Sequence, residues 1–245
     1  MLLTDFNKAE SKQPFLNTYK TNRTAVLIFV LSEEEEQRKK PFLRNNTLYH
    51  QLNNRVKKVV EKTGLDYFFF NEDHHIGVGF GERFSNAIET VYEKGYDTVI
   101  TIGNDSPGLN ANHILKTQEA LQKDHFVMGP AYDGGFYLMG LHKTYFNKAK
   151  FQSFSWNTSK VSSQIVEYIK QLTGAILILN YLFDIDNVSD LKKVYKTLSL
   201  SLRLLRAIIQ KLIQSIQFSL EKLHWFVFDI VLKVFYNKGS PSISL

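Results

Sequence analysis

The chain has no cysteine among its 245 residues. That excludes disulfides, thiolate nucleophiles and cysteine-ligated zinc, and makes a reducing cytoplasm the simplest setting. No uncharged apolar run approaches the ~18 residues that a membrane span requires. The opening residues, Met1 to Asp5, lack the basic start and long apolar stretch of a signal peptide. The first apolar run is followed by glutamates, not by a glycine fingerprint or a P-loop, which disfavours a dinucleotide-binding Rossmann domain and a P-loop nucleotidase. Charge of one sign does not dominate: the net charge is +6 and the sequence pI about 9.2. Such a balance suits anionic nucleotides or a membrane surface, and without a recognition motif it predicts no nucleic-acid partner.

What is present is a composition 44% hydrophobic and 13% aromatic, enough for one domain with a core plus an appendage. Short apolar runs read as strands: Ala25 to Leu31, Leu65 to Phe70, Thr98 to Ile102, His125 to Met128, Phe136 to Leu141 and Ile176 to Leu179. Between them lie helical periodicities, such as Leu48, Leu52, Val56, Val59 and Val60, or Val161, Ile165, Tyr168 and Ile169. The alternation predicts an α/β sandwich with a mostly parallel central sheet. The chain divides into an N-terminal arm (1–24), an α/β domain (25–196) and a C-terminal helical extension (197–245).

Asp97 to Leu141 carries the most chemistry. The β-branched run Thr98 to Ile102 ends at Gly103, and Asn104 and Asp105 follow at once. Ligands of open α/β sheets bind outside the carboxyl ends of parallel strands, so Asp105 should stand at the lip of a crevice, where a carboxylate can hold a divalent metal against a phosphate. Asp133 lies 28 residues further on, about one strand-helix-strand unit, so both aspartates can face one site. Both also stand in good turn sequences, Asp105-Ser-Pro-Gly and Asp133-Gly-Gly, which need no function. His74 and His75 are adjacent with no obvious third ligand and read as surface residues.

The segments Ile102 to Leu109, Gly129 to Leu141 and Phe154 to Thr158, in that order, resemble a family of small bacterial glycosyltransferase-A-like proteins of unknown function. These are often labelled radical-SAM/selenodomain-associated transferases and belong to the nucleotide-diphospho-sugar transferase superfamily. The resemblance covers roughly Ala25 to Lys196. It implies a glycosyltransferase-A-like fold and metal-dependent glycosyl or nucleotidyl transfer from a nucleotide or nucleotide-sugar donor. It also implies Mg²⁺ or Mn²⁺ held by Asp105, with Asp186 or Asp184 as second ligand, since Phe183-Asp-Ile-Asp-Asn-Val-Ser-Asp-Leu191 resembles a late segment of nucleotidyltransferase domains. Asp133 would orient or deprotonate the acceptor, with Gly134 and Gly135 permitting close approach. Asn104 would join the substrate site. Gly81 and Arg83 match the pattern ahead of a helix whose N-terminus can meet an anion. Trp156 either stacks on a base or sugar or staples its own helix. Relatives carry a basic, Gly-containing loop where this chain has Glu33 to Glu36. A solvated charged loop is expected there, repelling phosphate unless Arg38, Lys39 and Lys40 fold inward.

Beyond about Leu202, apolar residues from Leu205 to Val234 keep helical spacing, in one long helix or two. Their face docks on the domain, forms a homodimer, or lies peripherally on a membrane surface. The sequence therefore leaves a second reading open: a non-catalytic binding or scaffold protein that acts through this helix.

Overall fold

The computed structural model describes residues 22–40 and 46–236. Most of the expected N-terminal arm and the chain after residue 236 lie outside the described residues. Six strands form one sheet: β1 (Thr24–Phe29), β2 (Asp66–Phe70), β3 (Thr98–Ile102), β4 (Phe126–Pro130), β5 (Phe136–His142) and β6 (Ile176–Ile178), in the order β2-β1-β3-β5-β4-β6. β5 runs antiparallel to β3 and β4, and the remaining pairings are parallel. The sheet is thus mostly parallel, as the alternating pattern predicts.

Near-continuous apolar strands bury both faces, and the pleat sorts their residues. Ala25, Leu27, Val99, Met128 and Met139 face one side. There they pack on helices α3 (Phe80–Glu93), α5 (Lys148–Gln152) and α6 (Val161–Leu172), through Phe84, Ile88, Phe151 and Ile165. Val26, Ile28, Ile100, Val127 and Leu138 face the other side, against Val56 and Val60 of α2 (Asn46–Glu61) and Ile114 and Leu121 of α4 (Ala111–Gln122).

The glutamate run is not a loop. Ser32 accepts a hydrogen bond from Glu35 N and caps α1 (Glu33–Lys39), where acidic residues in the first turn suit the helix dipole. Glu35 pairs with Arg38, and Glu33 with His50. Glu36 is buried.

A third core joins Leu48 and Leu52 of α2, Leu191 and Val194 of α7 (Val188–Thr197), and Leu205, Ile209 and Leu212 of α8 (Arg203–Tyr236). The C-terminal segment is one helix of 34 residues. Its first half is docked on the domain, while residues 217–228 are exposed throughout. This split gives a stability test. Ile209→Ala, at a fully buried position, should cost about 2–5 kcal/mol. Leu223→Ala, at a position 57% exposed, should change stability by no more than ~0.5 kcal/mol. Equal losses in chemical denaturation would contradict the division.

Candidate functional site

The carboxyl end of β1 (Phe29, Val30, Leu31), the loop after β3 (Gly103, Asn104, Asp105) and the β4–β5 turn (Asp133, Gly135) meet around one cleft of about 580 Å³. That size suits a small-molecule site. Lys39 and Lys40 of the α1 end, Arg83 of α3, Trp156 to Ser159, and Asp184 and Asp186 complete its walls. One side of the cleft is acidic and the other is aromatic.

On the acidic side, Asp133, Asp184 and Asp186 bring one carboxylate oxygen each to within 4.8 Å of the others. Asp184 accepts a hydrogen bond from the Ser106 hydroxyl. Asp133 accepts one from Gly135 N at 2.8 Å, which fixes the turn. Asp105 is half-buried and stands outside this group of three. Its backbone carbonyl holds Ile185 N at 3.0 Å and so ties the β3 loop to the Asp184–Asp186 segment. Burial, with Asp186 and Asp133 adding to it, raises the Asp105 carboxyl against the opposing pull of Lys40. Burial and the charge on Asp105 push Asp184 up to about 9.

Lys40 supplies the opposite charge. Its ammonium donates to Asp186 Oδ1 at 2.9 Å and to the Ile185 carbonyl at 2.9 Å, and lies 3.7 Å from Glu36. Burial would lower its pKa, but Asp105, Glu36 and Asp186 outweigh that and raise it. Of the three basic residues that the sequence offered against the glutamates, Lys39 and Lys40 line the cleft, whereas Arg38 is spent on Glu35. Of the four glutamates, only Glu36 lines it.

The aromatic side is built from Phe29, His75, Phe80, Phe84, Phe136 and Trp156. Trp156 Nε1 donates to the Phe151 carbonyl at 2.7 Å, and its ring lies 5.1 Å from Phe80 and 5.2 Å from Phe84. The staple is therefore present, and the half-buried ring still borders the cleft. His75 departs from the surface reading. It stacks on Phe29 at 4.0 Å and lines the cleft, and its buried Nε2 has no hydrogen-bond partner. Burial and Arg83 lower its pKa, which favours the neutral ring. Nothing in the local sequence distinguishes it from exposed His74, because the packing partner, Phe29, comes from another strand.

The structure brings Arg83, Asp105, Asp133, Gly135, Trp156 and Asp186 to one cleft, with Asn104 at its edge. Asn104 is buried and donates to Asn53 Oδ1 at 2.7 Å, which anchors the loop to α2. Arg83 donates to the Val78 carbonyl at 3.0 Å. Gly81 and Gly134 are needed for packing. A Cβ on Gly81 would come within 2.4 Å of the Trp156 ring. Gly134 has φ +95°, and a Cβ there would lie 2.2 Å from the Ser159 carbonyl oxygen. Asp184 is the carboxylate that motif reading could only offer as an alternative to Asp186; both belong to the group of three.

Residues 72–158 match a family described as an uncharacterized protein conserved in bacteria (DUF2064). The matched segment contains Arg83, Asp105, Asp133 and Trp156, and ends before Asp184. Among solved structures, the chain is similar to a provisionally named nucleotide-diphospho-sugar transferase from Desulfovibrio desulfuricans G20. Identity is 23%, with 79% of this chain and 98% of that chain covered, at a TM-score of 0.69. The fold is glycosyltransferase-A-like. Two more distant likenesses are a Mycobacterium tuberculosis H37Rv protein, Rv0371C, in complex with manganese, and a 4-diphosphocytidyl-2C-methyl-D-erythritol synthase from Anaerococcus prevotii. The first is 12% identical over 73% of this chain and all of that one, at a TM-score of 0.40. The second is 10% identical over 66% of this chain and 88% of that one, at 0.39. Neither likeness bears on the chemistry of this chain. No curated protein matches it.

The crowded acids predict a pH dependence. The folded state raises the Asp105 and Asp184 pKa values, so it favours their protonated forms. The stabilisation is fully present below the unfolded aspartate pKa of about 4 and is lost as pH rises towards the folded values. Metal-free protein should therefore melt at progressively lower temperature between about pH 5 and 9. Asp184→Asn, which keeps an acceptor for Ser106, should flatten that slope and melt higher than wild type at the alkaline end. A melting temperature that rises with pH, or a variant with the wild-type slope, would contradict the assignment.

Proposed function

We propose that the chain is a transferase that takes a group from a nucleotide-activated donor, with a divalent cation at the acidic side of the cleft. The observation that carries this reading is the group of three carboxylates, Asp133, Asp184 and Asp186, at the carboxyl edge of a glycosyltransferase-A-like sheet. Three hard oxygen donors at that separation fit Mg²⁺ or Mn²⁺. When bound, such a cation neutralises charge on the donor's leaving phosphates.

The chain's own residues supply the rest. Lys39, Lys40 and Arg83 line the same cleft and offer positive charge to a diphosphate. Lys40 already holds Asp186, which keeps one carboxylate oriented before any ligand arrives. Asp133 stands beside Gly135, where backbone can come close to a substrate, and orienting an acceptor hydroxyl is the second role we assign it. Asp105, with its pKa raised by burial, is suited to hold a proton nearer neutral pH than an ordinary aspartate. On the aromatic side, Trp156 and the unpartnered His75 Nε2 offer a stacking face and a hydrogen bond to a base or sugar. Glycosyl and nucleotidyl transfer use this same layout, and the donor decides between them.

Calorimetric titration with nucleoside diphosphate-sugars and nucleoside triphosphates, with and without Mn²⁺, tests the reading. Binding of at least one donor should require the cation. Asp186→Asn should weaken metal-dependent binding by at least the ~10-fold that even an outer-shell change costs. No donor binding under either condition would favour the scaffold reading instead.

A further inference from the structure

Residues 217–228 of α8 have no packing partner among the described residues. Its first half is seated by Leu205, Ile209 and Leu212, with Ile213 and Ile216 at the margin. From Gln217 to Phe228 every residue is exposed. This stretch includes Phe218 at 59%, Leu220 at 60%, Trp225 at 67% and Phe226 at 62%. Large aromatic groups are seldom left in water in such a row.

The arrangement around the helix axis identifies the kind of partner. At about 100° per residue, Phe218, Phe226, Leu223, Leu220, Phe228 and Trp225 fall near 0°, 80°, 140°, 200°, 280° and 340°. Apolar groups therefore point in every direction. A second helix packed alongside covers a stripe of only about 100°, so a second copy of the chain would leave most of these groups bare. A lipid interface surrounds far more of the circumference. Charge favours the same choice. From residue 197 onward the sequence has six basic and two acidic residues, which account for four of the chain's six net positive charges. Residues 217–228 themselves carry one acidic and one basic residue, Glu221 and Lys222, so the excess positive charge that an anionic surface would attract flanks them, at Arg203, Arg206 and Lys211 on one side and Lys233 and Lys238 on the other. Among the described residues, no helix is long and apolar enough to cross a membrane, so the segment would lie at the interface.

We infer that residues 217–228 form a peripheral membrane-binding helix that inserts Phe218, Trp225, Phe226 and Phe228 among lipid chains, with Lys222, between Phe218 and Phe226 on the same face and 4.9 Å from the Phe218 ring, reaching along its stem to anionic headgroups. This inference stands apart from the chemistry assigned to the cleft. Full-length protein should sediment with phosphatidylcholine vesicles that contain phosphatidylserine, and weakly or not at all with pure phosphatidylcholine. Trp225→Glu combined with Phe228→Glu should lower the partition coefficient at least ~10-fold. Lys222→Glu alone should lower it about 5-fold. Because these positions are exposed, the melting temperature of the domain should not move in either variant. Absence of sedimentation with the anionic vesicles would overturn the inference. So would undiminished binding of the double variant, or a vesicle-blind dimer in light scattering that the double variant dissociates.

Discussion

Like-charge crowding at the carboxyl edge of the sheet is the constraint around which this site is arranged. Glu36, Asp105, Asp133, Asp184 and Asp186 all line one cleft, and carboxylates at such separations cannot all stay ionised without a counter-charge. Lys40 is the counter-charge within the chain, reaching Asp186 and lying near Glu36. It does so because α1 exists. Ser32 caps that helix, and Glu72 holds Ser32 N at 2.7 Å. Lys39 and Arg83 also line the cleft, but three cationic side chains against five carboxylates still leave room for a further cation. The raised pKa values of Asp105 and Asp184 register the same imbalance as retained protons.

The fold delivers these groups from distant parts of the sequence. Parallel β1 and β3 end at the same edge, so Phe29 to Leu31 and Gly103 to Asp105 meet there. Antiparallel β5 returns the chain next to β3, and the turn before it presents Asp133 and Gly135. The Ile185–Asp105 backbone bond fastens the last acidic segment to the β3 loop. The aromatic wall belongs to the core on the α3 side, since Phe80, Phe136 and Trp156 pack against Phe84. Site and core are thus continuous, and Gly81 lets Trp156 lie directly on α3.

Much of the sheet was legible in the sequence because its four central strands are buried on both faces and appear as apolar runs with few breaks. Thr98 to Ile102 is the clearest, with all five residues buried. The meeting of Asp105 and Asp133 was legible from position, since each follows a strand end, whereas Asp186 was offered, beside Asp184, only by the resemblance of the Phe183 to Leu191 segment to nucleotidyltransferase domains. The division of labour among them was not. Sequence spacing cannot show that Asp105 stands apart from the group that Asp133 forms with Asp184 and Asp186. The glutamate run misled because four adjacent charges suggest solvent, whereas Ser32 starts a helix that buries Glu36 and turns Lys40 inward. His75 was hidden for a similar reason: its environment comes from β1. In α8 the periodicity was visible but the change at Ile216 was not, because the end of docking is set by the extent of α2 and α7.

We propose that the acidic side of the cleft receives a divalent cation through Asp133, Asp184 and Asp186. The most direct measurement is anomalous diffraction from crystals grown or soaked in Mn²⁺. A peak between those three carboxylates, with the Lys40 ammonium still on Asp186, is the expected result. Mn²⁺ absent from the cleft at saturating concentration, or bound without Asp184, would contradict the account.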